Sequence, residues 1–304
     1  FSQNGVQTRP YETVLELYQK YLIDLPEEGA MADINRDEIE RRIRRREPLR
    51  DLNLSSLKLD GMSLAGGVFR RCRFNDTTFL STVLDAVRFE ACILGGCDMR
   101  GASMREAALE NCDLDGTNLQ NSSLGETSFR SSSLVRTDFS GARMERVILI
   151  EVNAELASFS QARLNGAYLM RGKFLLCDFS LVEAEGLMAT KADFTGSLMT
   201  AASLEQAVLA NSSFSFCDLT VVSANRAMLK GSNFYKAKLF QAQFNEANLE
   251  DALICGVNGK EAVFTNAKLN KASFLQSDLQ GSNLTGAETQ GTLMKGANLE
   301  GVTQ

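Results

Sequence analysis

Ala247-Asn248-Leu249-Glu250-Asp251 and Ala297-Asn298-Leu299-Glu300-Gly301 state one rule: small, polar, large apolar, polar, variable. The rule has a period of five, and self-similarity at a fixed period decides an architecture before secondary structure does. Working outward from these two stretches, every residue whose number ends in 4 or 9, from Leu54 to Leu299, falls on the large position. Of these 50 residues, 44 are Leu, Phe, Met or Ile, and they include 15 of the chain's 18 Phe. Two residues earlier, numbers ending in 2 or 7 are nearly all small, among them Ala102, Ala107, Thr117, Ser122, Ala162, Ala202, Ala247 and Ala272. An α-helix would repeat its apolar residues near 3.6 and a strand at 2. A period of five instead fits a chain that turns a corner once per quintet and sends one large and one small residue inward from each side. The phase holds from about residue 51 to the C-terminus.

The exceptions point to a filled interior. Ala154, Ala184, Ala189, Ala224 and Gly259 occupy large positions, and two residues before them stand Val152, Val182, Leu187, Val222 and Val257. Where the large position shrinks the small one grows, as a core packed to crystal-like density requires. Thr289, beside Ala287, is uncompensated and lies near the C-terminal end.

These quintets resemble the pentapeptide-repeat family over residues 51–302. The resemblance implies an all-β solenoid, a right-handed quadrilateral β-helix in which four quintets close a square coil of 20 residues. At about 4.8 Å per coil the twelve and a half coils make a rod roughly 60 Å long. Residues 20 apart then stack, and one inward column reads Phe174, Phe194, Phe214, Phe234, Ile254, Phe274. That ladder reads as core rather than as a ligand site.

Residues 1–50 lack the period and form a separate helical N-terminal segment, with the repeat occupying 51–304. Tyr11 to Leu22 reads as an amphipathic helix anchored by Val14, Leu15, Leu17, Tyr18 and Leu22, between Pro10 and Pro26. A second helix is expected from about Asp37 to Glu47, capped by Asn35 and stopped before Pro48. The seven Arg within residues 36–50 could form a phosphate-binding patch, or a solvated helix face interleaved with Glu38, Glu40 and Glu47. The expected role of the segment is to cover the open first coil, which would otherwise template pairing with other chains.

Composition narrows the chemistry. The net charge of −6 argues against general nucleic-acid binding. There is no run of 18 apolar residues to span a membrane and no signal peptide, and the chain opens on Phe1 rather than Met, so it reads as a cytoplasmic protein with further residues upstream. His is absent, which removes the commonest general base. No phosphate loop, nucleophile elbow or dinucleotide fingerprint occurs. Six of the seven Cys (Cys72, Cys92, Cys97, Cys112, Cys177 and Cys217) sit in the small inward register, where Cys serves as a small hydrophobe. A straight column of Cys72, Cys92 and Cys112 does not offer zinc its tetrahedron. Only Cys255 lies outside the register. No catalytic residue, cofactor or metal is therefore expected.

The function expected is a non-enzymatic protein-interaction scaffold. The junction Arg45-Arg46-Glu47-Pro48-Leu49-Arg50-Asp51-Leu52-Asn53-Leu54 resembles the repeat segments of bacterial type VI secretion accessory proteins, which implies an adaptor for effector loading. Two alternatives stand beside it. One is a DNA mimic protecting gyrase or topoisomerase, as in the quinolone-resistance branch of the family. The other is an accessory domain of a larger effector enzyme. The expected interface lies on an outward column that reads Arg88, Ala108, Ser128, Ile148, Tyr168, Met188, Val208, Met228, Asn248, Lys268. Five consecutive coils place Ile148, Tyr168, Met188, Val208 and Met228 outside, and Ile150 and Met170 widen the stripe. The occupant would be another protein or a second copy of the chain.

Overall fold

The computed structural model describes residues 31–304. The Tyr11–Leu22 helix expectation lies outside the described residues. From Leu49 onward the chain coils with a repeat of 20 residues, and each coil is bonded to the next in parallel. On one side the pairing broadens into four short strands, β1 Leu49–Arg50, β2 Val68–Arg70, β3 Arg88–Glu90 and β4 Ala108–Glu110, in the order β1-β2-β3-β4. Their register joins Leu49 to Phe69, Phe69 to Phe89 and Phe89 to Leu109. Elsewhere each side contributes one bridging residue, again paired 20 apart, from Asn53 with Arg73 to Asn283 with Thr303. The result is a parallel β-solenoid with four bridged sides per coil. We call them side A (Val68, Arg88, Ile148), side B (Asn53, Arg73), side C (Lys58, Thr78) and side D (Ser63, Val83).

Both inward registers are buried along the rod as far as Leu284, the large one by Leu54, Phe69, Phe174 and their equivalents and the small one by Ala102, Cys92, Thr117 and theirs, while in the last coil Thr289 and Leu299 are exposed. Phe174, Phe194, Phe214 and Phe234 stack face to face at centroid separations of 5.4, 5.3 and 5.0 Å. Most polar residues inside the small register donate to the coil beneath, although Ser122 bonds to Leu119 O in its own coil and Ser282 Oγ has no partner. Thr77 Oγ1 donates to the carbonyl of Leu54 at 2.8 Å and Ser197 Oγ to that of Phe174 at 2.7 Å. Cys97 Sγ does the same with Phe74 at 2.9 Å. A short side chain with one donor thus fits a site that would penalise an unpaired polar group.

Corners are made at numbers ending in 1 or 6, which take left-handed backbone from Arg71 (φ +50) to Gly196 (φ +75). Asn and Asp on the sides brace the corners that follow them. Asp98 Oδ1 accepts from the Arg100 amide at 3.3 Å and Asn118 Oδ1 from the Gln120 amide at 3.1 Å, the short-range bonding to which these residues owe their place in turns.

The volume exchange at Ala184 is incomplete. Val182, Ala184, Leu187, Phe194 and Met199 line an apolar void of about 10 Å³, so Val182 does not fully restore the volume that the large position gives up at Ala184.

Helix α1, Arg36–Arg44, packs on the first coil. Its Ile39 is fully buried in the core cluster, with Ile34 and Ile43 packed against it. Asn35 caps it as expected, its Oδ1 accepting from the Glu38 amide at 3.0 Å. The helix ends three residues earlier than Glu47. Arg46 turns left-handed (φ +57), its amide donates to Ile43 O, and the Glu47 amide donates to Arg42 O. That pair of bonds is the Schellman ending, here built on Arg rather than Gly.

Candidate protein interface

The predicted stripe is assembled as one ladder on side A. Ile148 bridges Tyr168, Tyr168 bridges Met188, Met188 bridges Val208 and Val208 bridges Met228. Each is held because its neighbours one residue ahead and one behind are inward anchors, for example Leu169 and Ala167 about Tyr168. Met188 and Met228 are exposed, while Ile148, Tyr168 and Val208 are half-buried, as are Ile150 and Met170 at the corner between sides A and B. The structure therefore brings all seven residues onto one edge of the solenoid.

A second apolar surface was not anticipated. At the corner between sides B and C, Leu156, Leu176 and Phe216 project outward, with Leu198 on side C and Leu181 and Val221 at the next corner. Leu176 is 57% exposed, Phe216 56% and Val221 48%. Phe216 meets Tyr235 edge-on at 5.6 Å, and Lys236 Nζ stands 5.3 Å from the Tyr235 ring centre. Between Leu176 and Phe216 the column holds Gly196, where a Cβ would come within 2.7 Å of Leu176 Cδ2. The glycine lets Leu176 lie across its own corner. The signal was available in the columns 156, 176, 216 and 181, 221, but corner positions vary so freely in sequence that apolar entries there do not stand out.

The charged surface is cross-linked up the rod. Arg71 pairs with Asp51, Arg105 with Asp85, Arg146 with Glu126, Arg171 with Glu151, Arg226 with Glu246 and Lys238 with Asp218, each across adjacent coils. The Arg71 hydrogen bond holds the Asp51 carboxyl below the usual carboxylate range. On α1, Glu38 pairs with Arg41 and Arg42, and Glu40 with Arg44. This is the arrangement of a solvated helix face.

The six inward Cys are buried and free, and Cys255 is partly exposed beside Ser273. Burial pushes the Cys177 and Cys217 thiols up to about 12. Cys72 is raised first by the Cys92 thiol stacked on it and then by burial. Among the described residues no group of three or more His, Cys, Asp or Glu is placed to hold a metal ion, and no helix is long and apolar enough to cross a membrane.

Comparison with known proteins follows the same repeat. No curated protein matches the chain. Among solved structures it is similar to HetL, a pentapeptide repeat protein involved in heterocyst differentiation regulation from the cyanobacterium Nostoc sp. strain PCC 7120. The two are 24% identical over 88% of this chain and 96% of that one, with a TM-score of 0.41. Rfr23 from the cyanobacterium Cyanothece 51142 is 19% identical over 46% and 90% of the two chains, TM-score 0.20. Full-length QnrB1, a plasmid-mediated fluoroquinolone resistance protein, is 16% identical over 79% and 92%, TM-score 0.23. The family model described as a pentapeptide repeat region matches residues 82–159 and 227–303, and the model for pentapeptide repeats in eight copies matches 190–221. With the inward pair in every quintet and the 20-residue register, these matches over more than half its length mean that the chain belongs to the pentapeptide-repeat family.

Proposed function

We propose that the chain is a non-enzymatic scaffold in which residues 51–304 form a binding rod that holds a partner protein, and residues 1–50 a separate N-terminal segment. The observation that carries this reading is the outward ladder Ile148–Tyr168–Met188–Val208–Met228. Five apolar residues on consecutive coils face outward rather than into the core, and a contiguous apolar band of this kind marks an interface. Tyr168, on its second rung, is the anchor, a large amphipathic ring of the type that dominates interface energetics. Ile150 and Met170 extend the contact around the corner. The chemistry on offer is adhesion, with no nucleic acid and no cofactor required, and the setting is the cytoplasm, where seven unpaired thiols stay reduced. An adaptor role in loading secretion-system effectors is a narrower form of the same reading, resting on the junction at 45–54. The coil-to-coil ion pairs weigh against a DNA mimic, since the acids they engage are neutralised in place rather than aligned as a phosphate-like stripe.

The test is Tyr168→Asp combined with Met188→Asp. Both side chains lie outside the core, so the double variant keeps its fold by circular dichroism. The expected outcome is loss of co-purifying partner, with any change of self-association read by light scattering. A folded double variant with unchanged partner and unchanged mass sinks the stripe as the functional face.

A further inference from the structure

Around each coil side C comes two corners after side A, so it faces away from the stripe. The second apolar surface lies on it and has a symmetry of its own. At its middle level stand Gly196 and Ala201 on the two corners and Leu198 on the flat between them. One coil below, Leu176 and Leu181 occupy the same two corners; one coil above, Phe216 and Val221 do. Leu198 and these four are each about half exposed. A two-fold contact between identical chains sets one patch against itself. An axis lying in the face and crossing the rod at Leu198 turns a second copy end for end. Leu176 then meets the second copy's Phe216, Leu181 meets its Val221, and Leu198 meets its own counterpart.

The polar residues obey the same operation. Glu155 is carried to the second copy's Tyr235 and Lys236. Lys236 Nζ rests over the Tyr235 and Phe216 rings, at 5.3 and 6.0 Å from their centres, rather than on an acid. Farther out, Asp138 faces Asn258 and Asn118 faces Asp278, carboxylate against amide. At the ends Arg100 faces Glu300. Asp178 faces Asp218, the one like-charged meeting on the flat, and Lys238 reaches down one coil to Asp218 at 3.0 Å, which brings an ammonium to that level. Other arrangements lose the match. Shifted by one coil, Leu198 falls on Asp218 and Leu176 on Lys236. With the two rods parallel, Asp98, Asp138, Asp178, Asp218 and Asp278 each face themselves, and like charges across an interface suppress the pairing.

From Asp98 to Asn298 is ten coil steps, about 48 Å, and a side of five extended residues is about 16 Å wide. The face therefore offers about 800 Å², the share that each partner gives to a standard stable interface. We propose that the chain forms an antiparallel two-fold dimer through side C, centred on Leu198. The stripes of the two copies then stand on the outer faces of the pair. The dimer does not depend on the reading of the stripe; where that reading holds, the pair is a bivalent scaffold.

The experiment measures mass by sedimentation over a dilution series of the full chain, unaltered and with Leu198→Asn and Phe216→Asn. Asn already stands on that flat at Asn118 and Asn258, and at left-handed corners at Asn121 and Asn211, so the double variant keeps its fold, as read by circular dichroism. The expected result is a dimer of the unaltered chain and association at least about tenfold weaker in the double variant. Lys236→Glu should weaken it as well, and adding Glu155→Lys to the same chain should restore it, because the two residues meet only across the antiparallel axis. An unaltered chain that stays monomeric throughout the series overturns the dimer, as does a dimer indifferent to Leu198→Asn and Phe216→Asn. Failure of the charge exchange to restore association overturns the antiparallel register. None of these outcomes bears on the stripe, which stands or falls with Tyr168→Asp and Met188→Asp.

Discussion

At the scale of single residues, the corners set the terms. A left-handed backbone costs an L-residue about 1–2 kcal/mol, least for Asn and Asp and nothing for Gly. Yet Val221 (φ +59), Phe216 (φ +60), Leu176 (φ +55) and Leu181 (φ +59) all occupy such corners, and each is about half exposed. A β-branched side chain is the worst choice there, so Val221 is retained at a cost to the fold. Val221→Asn is expected to raise stability by about 1 kcal/mol, read as a higher urea midpoint; an unchanged or lower midpoint would show that Val221 packs in a way its exposure does not suggest. The thiols supply a second residue-scale prediction. Burial raises Cys177 and Cys217 to about 12 in the folded chain, against about 8.5 for an exposed thiol. The unfolded chain therefore loses these protons first as pH rises. Their contribution is complete below the unfolded value and is lost progressively as pH climbs through the folded one. The urea midpoint should fall between pH 8 and pH 11, and less steeply in Cys177→Ser, Cys217→Ser. Ser is already accepted in that register at Ser197 and Ser232, where it donates to the coil beneath. Identical pH slopes in the two proteins would remove the thiols from the account.

At the scale of elements, α1 is held to the first coil chiefly by Ile39, with Ile34 and Ile43 in support. Ile39→Ala should cost about 2–5 kcal/mol, and in a stack where each coil touches only its neighbours the loss should stay local. Hydrogen exchange is expected to speed up around Leu54 and Leu59 and to leave Phe214 and Phe234 protected; uniform acceleration would mean that α1 supports the whole rod. This helix also shows what could and could not be read in advance. Its start was legible, because Asn35 followed by Asp37 and Glu38 is a chemical signal for an N-terminus. Its end was not, because Arg46 carries no mark of the left-handed turn it makes. The coils were legible for the opposite reason: Leu249 or Phe174 repeats a demand that its neighbours at 229 and 194 also make, and a repeated demand shows through single exceptions. The stripe was readable once coils were assumed, since Tyr168 and Met188 sit 20 apart. The surface around Leu176 and Phe216 was obscured by the Gly196 that interrupts its column, although that glycine is what lets Leu176 fold over.

At the scale of the whole molecule, the core is a line rather than a ball. Phe214 lies between Phe194 and Phe234, at 5.3 and 5.0 Å. In a globular domain a void at the centre is shared by many elements. Here it is shared by the coil above and the coil below, so energy is lost in a segment and conducted along one axis. Phe214→Ala removes a fully buried ring and should cost about 3–5 kcal/mol. Phe194 lines the same void as Phe214, so Phe194→Ala is expected to cost a similar amount. Calorimetry of Phe214→Ala should show a broadened or divided transition, because coils on either side of residue 214 lose their coupling before they lose their own packing. Amides near Phe69 and Phe89 should keep their protection at temperatures where those near Phe234 have lost it. A single sharp transition, shifted downward as one, would instead show that coupling between coils exceeds the stability of each coil. The stripe would then respond to core substitutions anywhere in the rod.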